Sequence, residues 1–269
     1  MYVAALHTYP VKGCQRVDKN SAYVLPWGLA GDRRWLIVDE DGDAVTQREN
    51  TGLTKIFPRT VDGGLRLSAA GRQDLFVDEP IVGTRVDVSV FDFTGTAVGA
   101  GPVADAWLSE VLDQKVRLVW QDDTGQRGVP PKYAQSGDSV VFQDEFPVSL
   151  ANLASLDALN DLIAEPGSLE APLPMTRFRP NIELADAKPW VEDSWIGGRI
   201  RVGEVVFRVP KPCGRCVVTT TDQDTGERGQ EPLRALGRHR NVNQKLLFAT
   251  NLIPDNMGTI SVGDPVDVV

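Results

Sequence analysis

The sequence predicts a mainly β fold with a few helices, of the α+β class, and three observations carry that expectation. Glycine and proline, 25 and 18 residues, make up about 16% of the chain against a usual ~12%, which favours turns over long helices. Short apolar or alternating runs recur, separated by turn dipeptides such as Asp41-Gly42 and Gly63-Gly64. Only three short stretches read as helix. Close-spaced strands of this kind suggest a barrel or a sandwich.

The elements follow in order. "YVAALHTYPV" is a first strand, ended by Pro10 and Gly13. "DRRWLIVDEDGDAVTQRE" is a hairpin candidate about Asp41-Gly42, and "LTKIFPRTVDGGLRLSA" is a second about Gly63-Gly64. "RVDVSVFDFTGTAV" adds a strand. In "GPVADAWLSEVLDQ", Pro102 near the start and Ala106, Leu108, Val111 and Leu112 at helical spacing predict a helix. "VRLVWQ" returns to strand, and the polar, Gly- and Pro-rich residues 122–139 form a long loop. "SLANLASLDALNDLIAE" predicts a helix capped by Ser149, striped by Leu150, Leu153, Leu156, Leu159, Leu162 and Ile163, and stopped at Pro166-Gly167. "RPNIELAD", "RIRVGEVVFRVP" and "CVVTTTD" read as strands, "EPLRALGRHR" as a short helix, and "KLLFATNLI" and "GTISVGDPVDVV" as closing strands. A soft boundary lies near residues 100–120.

With 269 residues, 42% of them hydrophobic and 24% charged, the chain has the composition of an ordinary globular protein of one or two domains. Its formal net charge of -9 argues against nucleic acid as a partner. Any bound anion must be held by a local cluster of cations against the global field. No run approaches a membrane span or a secretory signal, so no membrane association is expected. Three cysteines, an odd number, point to reduced thiols in a cytoplasmic setting.

Four motifs carry candidate chemistry. In "KPCGRCVVTTTD", Cys213 and Cys216 are spaced as a zinc half-site or a redox dithiol. Zinc lacks companion ligands, because only Cys14, His7 and His239 remain. A dithiol wants a helix after it, and "VVTTT" is a poor helix former. A buried thiol packed as a small hydrophobe is the plain alternative, while Lys211 and Arg215 would favour a thiolate that binds a soft metal. "YPVKG" could bring Lys12 and backbone N–H groups onto an anion, or be a strand-ending turn. In "GDRRWLIV", alternation points one of Arg33 and Arg34 inward, where it needs an anionic partner. In "RFRPN", an extended backbone would put Arg177, Arg179 and Asn181 on one face, suited to a phosphate or polar heterocycle, or to guarding a strand edge.

Together "YPVKG", "GDRRW", "RFRPNI", "DSW" and above all "KPCGRCVVTTTDQDTGE…EPLRAL" resemble the MOSC-domain proteins that carry an N-terminal β-barrel domain, the group of the mitochondrial amidoxime reducing components and their bacterial relatives. The resemblance spans essentially the whole chain. It implies two β-barrel-like domains, over residues 1–115 and 116–269. It also implies a molybdenum cofactor in its molybdopterin form, without a nucleotide, clamped between them. It makes Cys216 the metal ligand and a catalytic residue, and leaves Cys213 a neighbour. It places Gly214 and Arg215 against the pterin, and Lys12, Gly13 (through its N–H) and Arg33 against the phosphate. Arg179, Asn181 and Ser149 become further cofactor contacts. Relatives often carry Ser where this chain has Gly13 and Gly214. Arg215 and Asp222 are candidates for hydrogen bonding the departing oxygen.

The implied activity is that of a molybdenum-dependent oxidoreductase reducing N-hydroxylated compounds (amidoximes, hydroxylamines, N-hydroxylated bases), an N-reductive detoxification. Electrons would come from a separate flavin, ferredoxin or cytochrome protein, since three cysteines are too few for a plant-type [2Fe–2S] cluster and the sequence lacks a Gly-x-Gly-x-x-Gly nicotinamide fingerprint. Two other readings are a carrier of the cofactor or of sulfur, and a structural β-barrel module with Cys216 merely buried.

Overall fold

A computed structural model describes residues 1–165 and 167–269. The described residues are mainly β, with three α-helices among them: α1 (Pro102–Leu112), α2 (Leu153–Ala164) and α3 (Leu233–His239). The largest sheet has ten strands. Its path runs Val17–Lys19, Tyr2–Thr8, Ile182–Ala185, Val148–Asn152, Lys245–Pro254, Val205–Arg208, Arg199–Val202, Val266–Val268, and Pro212–Gly214 and Asn241–Val242 pair off this path with Lys245–Pro254. The first strand of the chain thus pairs on one side with its neighbour Val17–Lys19 and on the other with the distant residues 182–185. Likewise Ser21–Leu25 pairs with Gly258–Ser261. One core lies against this sheet, from Val3, Leu6 and Val24 through Leu150, Ile182, Phe207 and Ile260.

Between residues 35 and 120 the chain forms two smaller sheets. One has four strands in the order Trp35–Val38, Arg117–Trp120, Phe93–Gly99, Arg85–Val90, and the other three in the order Phe57–Val61, Gly64–Ser68, Leu75–Asp78. Helix α1 closes their core, burying Ala104, Leu108 and Leu112 beside Ile37, Leu53, Leu65 and Leu118. Segment 9–12 ties the halves together. Lys12 N–H donates to Trp35 O at 2.9 Å, Trp35 N–H to Pro10 O at 3.1 Å, and Arg33 N–H to Tyr9 O at 2.8 Å.

Several local expectations change, each for an identifiable reason. The hairpin about Gly63 forms as expected, whereas the one about Asp41-Gly42 returns only as a single bridge, Val38 to Ala44. Trp35–Val38 pairs instead with Arg117–Trp120. The single strand expected at 85–98 is two, folded at Phe91-Asp92. Ser149 is not a helix cap. It lies in strand Val148–Asn152, and Asn152 caps α2 by accepting Ala154 N–H at 3.1 Å. The strand persists to Asn152 because it pairs on both sides, parallel to 182–184 and antiparallel to 250–252. Leu150 is therefore a sheet residue, and the buried stripe of α2 is Leu156, Leu159 and Ile163. The α2 stop was expected at Pro166-Gly167, of which Pro166 lies outside the described residues.

"CVVTTTD" is not a strand. Val217–Thr220 forms a 3-10 turn in which Thr219 and Thr220 hydroxyls donate back to Cys216 O and Val217 O at 2.9 and 2.8 Å. These side-chain bonds outweigh the β preference of branched residues. "RFRPN" is not extended either. Met175–Arg177 is a 3-10 turn and Arg179 has φ +53°. Arg33, at φ +49°, precedes its strand and does not lie in it.

Candidate functional site

The segments that carry the sequence motifs converge on one cleft between the two halves. It spans about 1060 Å³, with the open solvent at its mouth included. Lys12, Gly13, Arg33, Ser149, Arg179, Asn181, Gly214, Arg215 and Cys216 all line it. Asp222 does not. Its carboxylate accepts Asp224 and Thr225 N–H, both at 2.9 Å, and Arg177 Nη2 at 3.1 Å. Those backbone bonds first, then Arg177, hold it below the usual carboxylate range despite some burial. It is an ionised loop clamp beside the cleft.

Six cationic side chains line the cleft (Lys12, Arg33, Arg48, Arg177, Arg179, Arg215) against two carboxylates, Asp144 and Glu145. In a chain of net charge -9 this is a strong local reversal. The cations are held differently. Arg33 Nη1 donates to Asp32 Oδ2 at 2.6 Å, and Asp32, fully buried, also accepts Tyr9 N–H at 2.8 Å. The inward arginine thus has its anionic partner. Arg34 turns the other way, over Trp120 at 4.6 Å. Arg33 and Arg179 both pack on the Tyr9 ring, at 4.4 and 4.3 Å. Burial pushes the Tyr9 hydroxyl up to about 12 even against these cations, so it stays protonated and donates to Pro180 O at 3.1 Å. Arg179 also donates to Cys14 O at 2.7 Å and Gln223 Oε1 at 3.0 Å, bridging the halves.

Lys12 is buried, and its ammonium donates to Phe142 O at 2.8 Å and pairs with Asp144. Burial pulls the ammonium below its ordinary value, and Asp144 pulls it back. Burial pushes the Asp144 carboxyl up, but Lys12, helped by Arg33 and Arg48, outweighs that and holds it at about 2. Asp144 nevertheless faces the open cleft, with 67% of its side chain exposed, so water screens this pair.

The three thiols differ sharply. Cys14 is fully buried, and burial pushes it up to about 12 despite nearby Arg179. Cys213 is buried in the core under α2, donates to Asn251 Oδ1 at 3.2 Å, and is raised by burial against the pull of Arg215 and Lys211. Cys216 is half-buried on the cleft wall, and Arg48 Nη2 lies 3.4 Å from its Sγ. Next to it, Arg215 donates through Nε to Phe248 O at 2.8 Å and through Nη1 to Phe178 O at 3.0 Å. Its Nη2 is buried without a partner. A buried guanidinium with an open donor is costly unless something accepts from it.

Asn181 and Ser149 line the cleft but are largely engaged with each other. Ser149 N–H and Oγ lie 3.2 and 3.4 Å from Asn181 Oδ1, and Asn181 Nδ2 donates to His7 O at 3.2 Å. Gly13 has φ +83°, and a Cβ there would lie 2.8 Å from Leu53 Cδ1, so serine would be strained. Gly214 has nothing within 4 Å of a built Cβ. Arg48, Gln47 and Asp144 carry no sequence signal. They follow ordinary strand and loop residues, and only the fold brings them to the cleft. Gln47 Nε2 donates to Gly13 O at 2.6 Å and to Gln223 Oε1 at 2.9 Å, fixing the "VKG" loop to the far wall.

The MOSC N-terminal beta barrel domain matches residues 1–115, and the MOSC domain matches residues 137–267. The chain is 32% identical to mitochondrial amidoxime-reducing component 1 of Homo sapiens, covering 98% of this chain and 82% of that protein. It is 31% identical to the Danio rerio protein of that name, over 98% and 83%. It is also 31% identical to a molybdenum cofactor sulfurase of Drosophila grimshawi, over 98% of this chain and 34% of that protein. No helix among the described residues is long and apolar enough to cross a membrane. With both domain matches in sequence order and relatives of this identity over nearly its full length, the chain belongs to the MOSC-domain proteins that carry the MOSC N-terminal beta barrel domain.

Proposed function

We infer that this protein is a molybdenum-cofactor-dependent reductase of N-hydroxylated compounds. The observation that carries the reading is the cleft: one half-buried thiol set among a local excess of cations in an acidic chain. The residues fit a phosphorylated, sulfur-rich metal cofactor. No group of three or more His, Cys, Asp or Glu gathers among the described residues to hold a metal unaided, so a metal at Cys216 would draw its other ligands from the bound group itself. A thiolate suits a soft metal beside dithiolene sulfurs. A terminal phosphate carries about two negative charges, which the cation excess offsets. The open Nη2 of Arg215 faces the same requirement from the donor side.

When bound, the molybdopterin supplies a two-electron, oxygen-accepting centre. This chain's residues position and enclose it. Lys12 and Arg33 hold the phosphate, with Gly13 N–H. Arg179 stiffens the phosphate end through Cys14 O and Gln223. Gly214 and Arg215 would contact the pterin, and Asn181 and Ser149 would be further contacts from the cleft wall. Cys216 ligates the metal, and Arg48 donates toward its sulfur. The overall reaction takes an amidoxime, two electrons and two protons to an amidine and water. Relatives named for amidoxime reduction support that substrate class. The three cysteines of residues 1–269, two of them buried, cannot supply four ligands to a plant-type iron–sulfur cluster, so electrons reach the cleft from a redox group bound outside them. The division at residues 1–115 and 116–269 puts the phosphate loop in one domain and the thiol in the other.

The test is reduction of benzamidoxime by the cofactor-loaded protein. We expect turnover with reduced viologen or a donor flavin, ferredoxin or cytochrome protein, and none with NADH or NADPH alone. Loaded protein that releases no benzamidine with any donor would overturn the reductase reading.

A further inference from the structure

One exposed aromatic stands out beside the cleft. Phe91 is 50% exposed. It is the first of two loop residues between the paired strands Arg85–Val90 and Phe93–Gly99, where Phe93 faces Val90. Its φ is +56°. A two-residue hairpin loop with a left-handed first residue favours glycine or asparagine, and a bulky side chain there is strained. Residues held in such sparsely populated conformations cluster at active sites and ligand clamps. The ring is also placed. Lys12 Nζ lies 5.3 Å and Arg48 Cζ 4.9 Å from its centroid, and both cations line the cleft. Two cation–π contacts therefore hold the hairpin tip at the cleft rim, while half of the ring surface remains open to water.

We propose that Phe91 is a specificity-determining residue whose ring stacks on planar, conjugated N-hydroxylated substrates as they enter the cleft. The inference rests on reading the cleft as a site for N-hydroxylated compounds. A flat amidine or nucleobase-like group presents a π face that a ring at the rim can match, whereas a puckered ring of equal size cannot. The cations behind Phe91 make this geometry rigid without competing for a neutral substrate.

The experiment compares benzamidoxime with cyclohexanecarboxamidoxime, which have similar bulk and differ in planarity. Binding is measured by equilibrium dialysis against oxidised, cofactor-loaded protein, so that no turnover is needed. Wild type should prefer the planar ligand by about two- to twelvefold. Phe91→Gly, which removes the ring and suits the turn, should bring the ratio close to one by weakening benzamidoxime alone. Phe91→Tyr should keep the preference. An absent preference in wild type, an unchanged ratio in Phe91→Gly, or an equal loss for both ligands would overturn the proposal. A Phe91-dependent preference in protein that reduces neither ligand would leave the stacking role standing and fail the reductase reading.

Discussion

Cys213 and Cys216 both line the cleft, but Cys213 is buried, as is Cys14, and of the three only Cys216 is partly open to solvent. In cofactor-free native protein, Ellman's reagent should therefore titrate one thiol quickly, absent in Cys216→Ala, and the other two only after denaturation. Rapid reaction of two thiols would revive the dithiol reading. Asp144 gives a pH signature. Its native pKa of about 2 lies below its ordinary value near 3.9, so its pair with Lys12 stabilises the fold above about pH 4 and is lost as pH falls through 2. Screened as it is, the pair contributes no more than about 1 kcal/mol. Urea melts of Asp144→Asn should show that deficit at pH 6 and none near pH 2, and a deficit that persisted at pH 2 would refute the ion-pair account. The same variant should bind inorganic phosphate more tightly, since one competing carboxylate is gone. At this scale the thiol motif is legible, because local sequence carries it; that one of the arginine pair turns inward is legible too, but not which, because Arg33 precedes the strand and alternation does not decide it. Asp144 and Arg48 are not legible, because a lone charge in a loop signals nothing until the fold gives it a neighbour.

Elements set which substitutions the site tolerates. Gly13 and Gly214 were read alike from sequence, as glycines where relatives carry serine, and the backbone separates them. Gly13→Ser forces a side chain at φ +83° against Leu53, so it should lower the melting temperature and cost about 1–3 kcal/mol. Gly214→Ser meets open space and should fold as wild type. Equal stability of the two by thermal melt would contradict this backbone account. Strands and helices with strong periodicity were legible: the Gly63 hairpin, α1, α3 and the body of α2 all lie where the pattern puts them. The misses at Ser149 and "CVVTTT" come from local propensity being overruled: two-sided strand pairing decided the first and threonine-to-carbonyl bonds the second.

Across the whole molecule, the two halves meet at the cleft, and the N-terminal strand crosses into the sheet of residues 148–254. Composition and turn signals made the β class legible, but not this crossing, because pairing partners nearly 180 residues apart leave no local trace. The central claim is that the cation-lined cleft holds a phosphorylated molybdenum pterin. Lys12 is the informative position for testing it. Its partner Asp144 is exposed and survives alone, whereas removing Arg33 would strand the buried Asp32. The direct measurement is molybdenum and phosphopterin per chain after gel filtration of protein made in a cofactor-competent host. Wild type should carry close to one of each. Lys12→Ala should lose a charge-assisted bond of about 1.5–3 kcal/mol, roughly a 10- to 150-fold drop in affinity, and emerge largely empty. Wild-type protein free of both, or full loading of Lys12→Ala, would contradict the account.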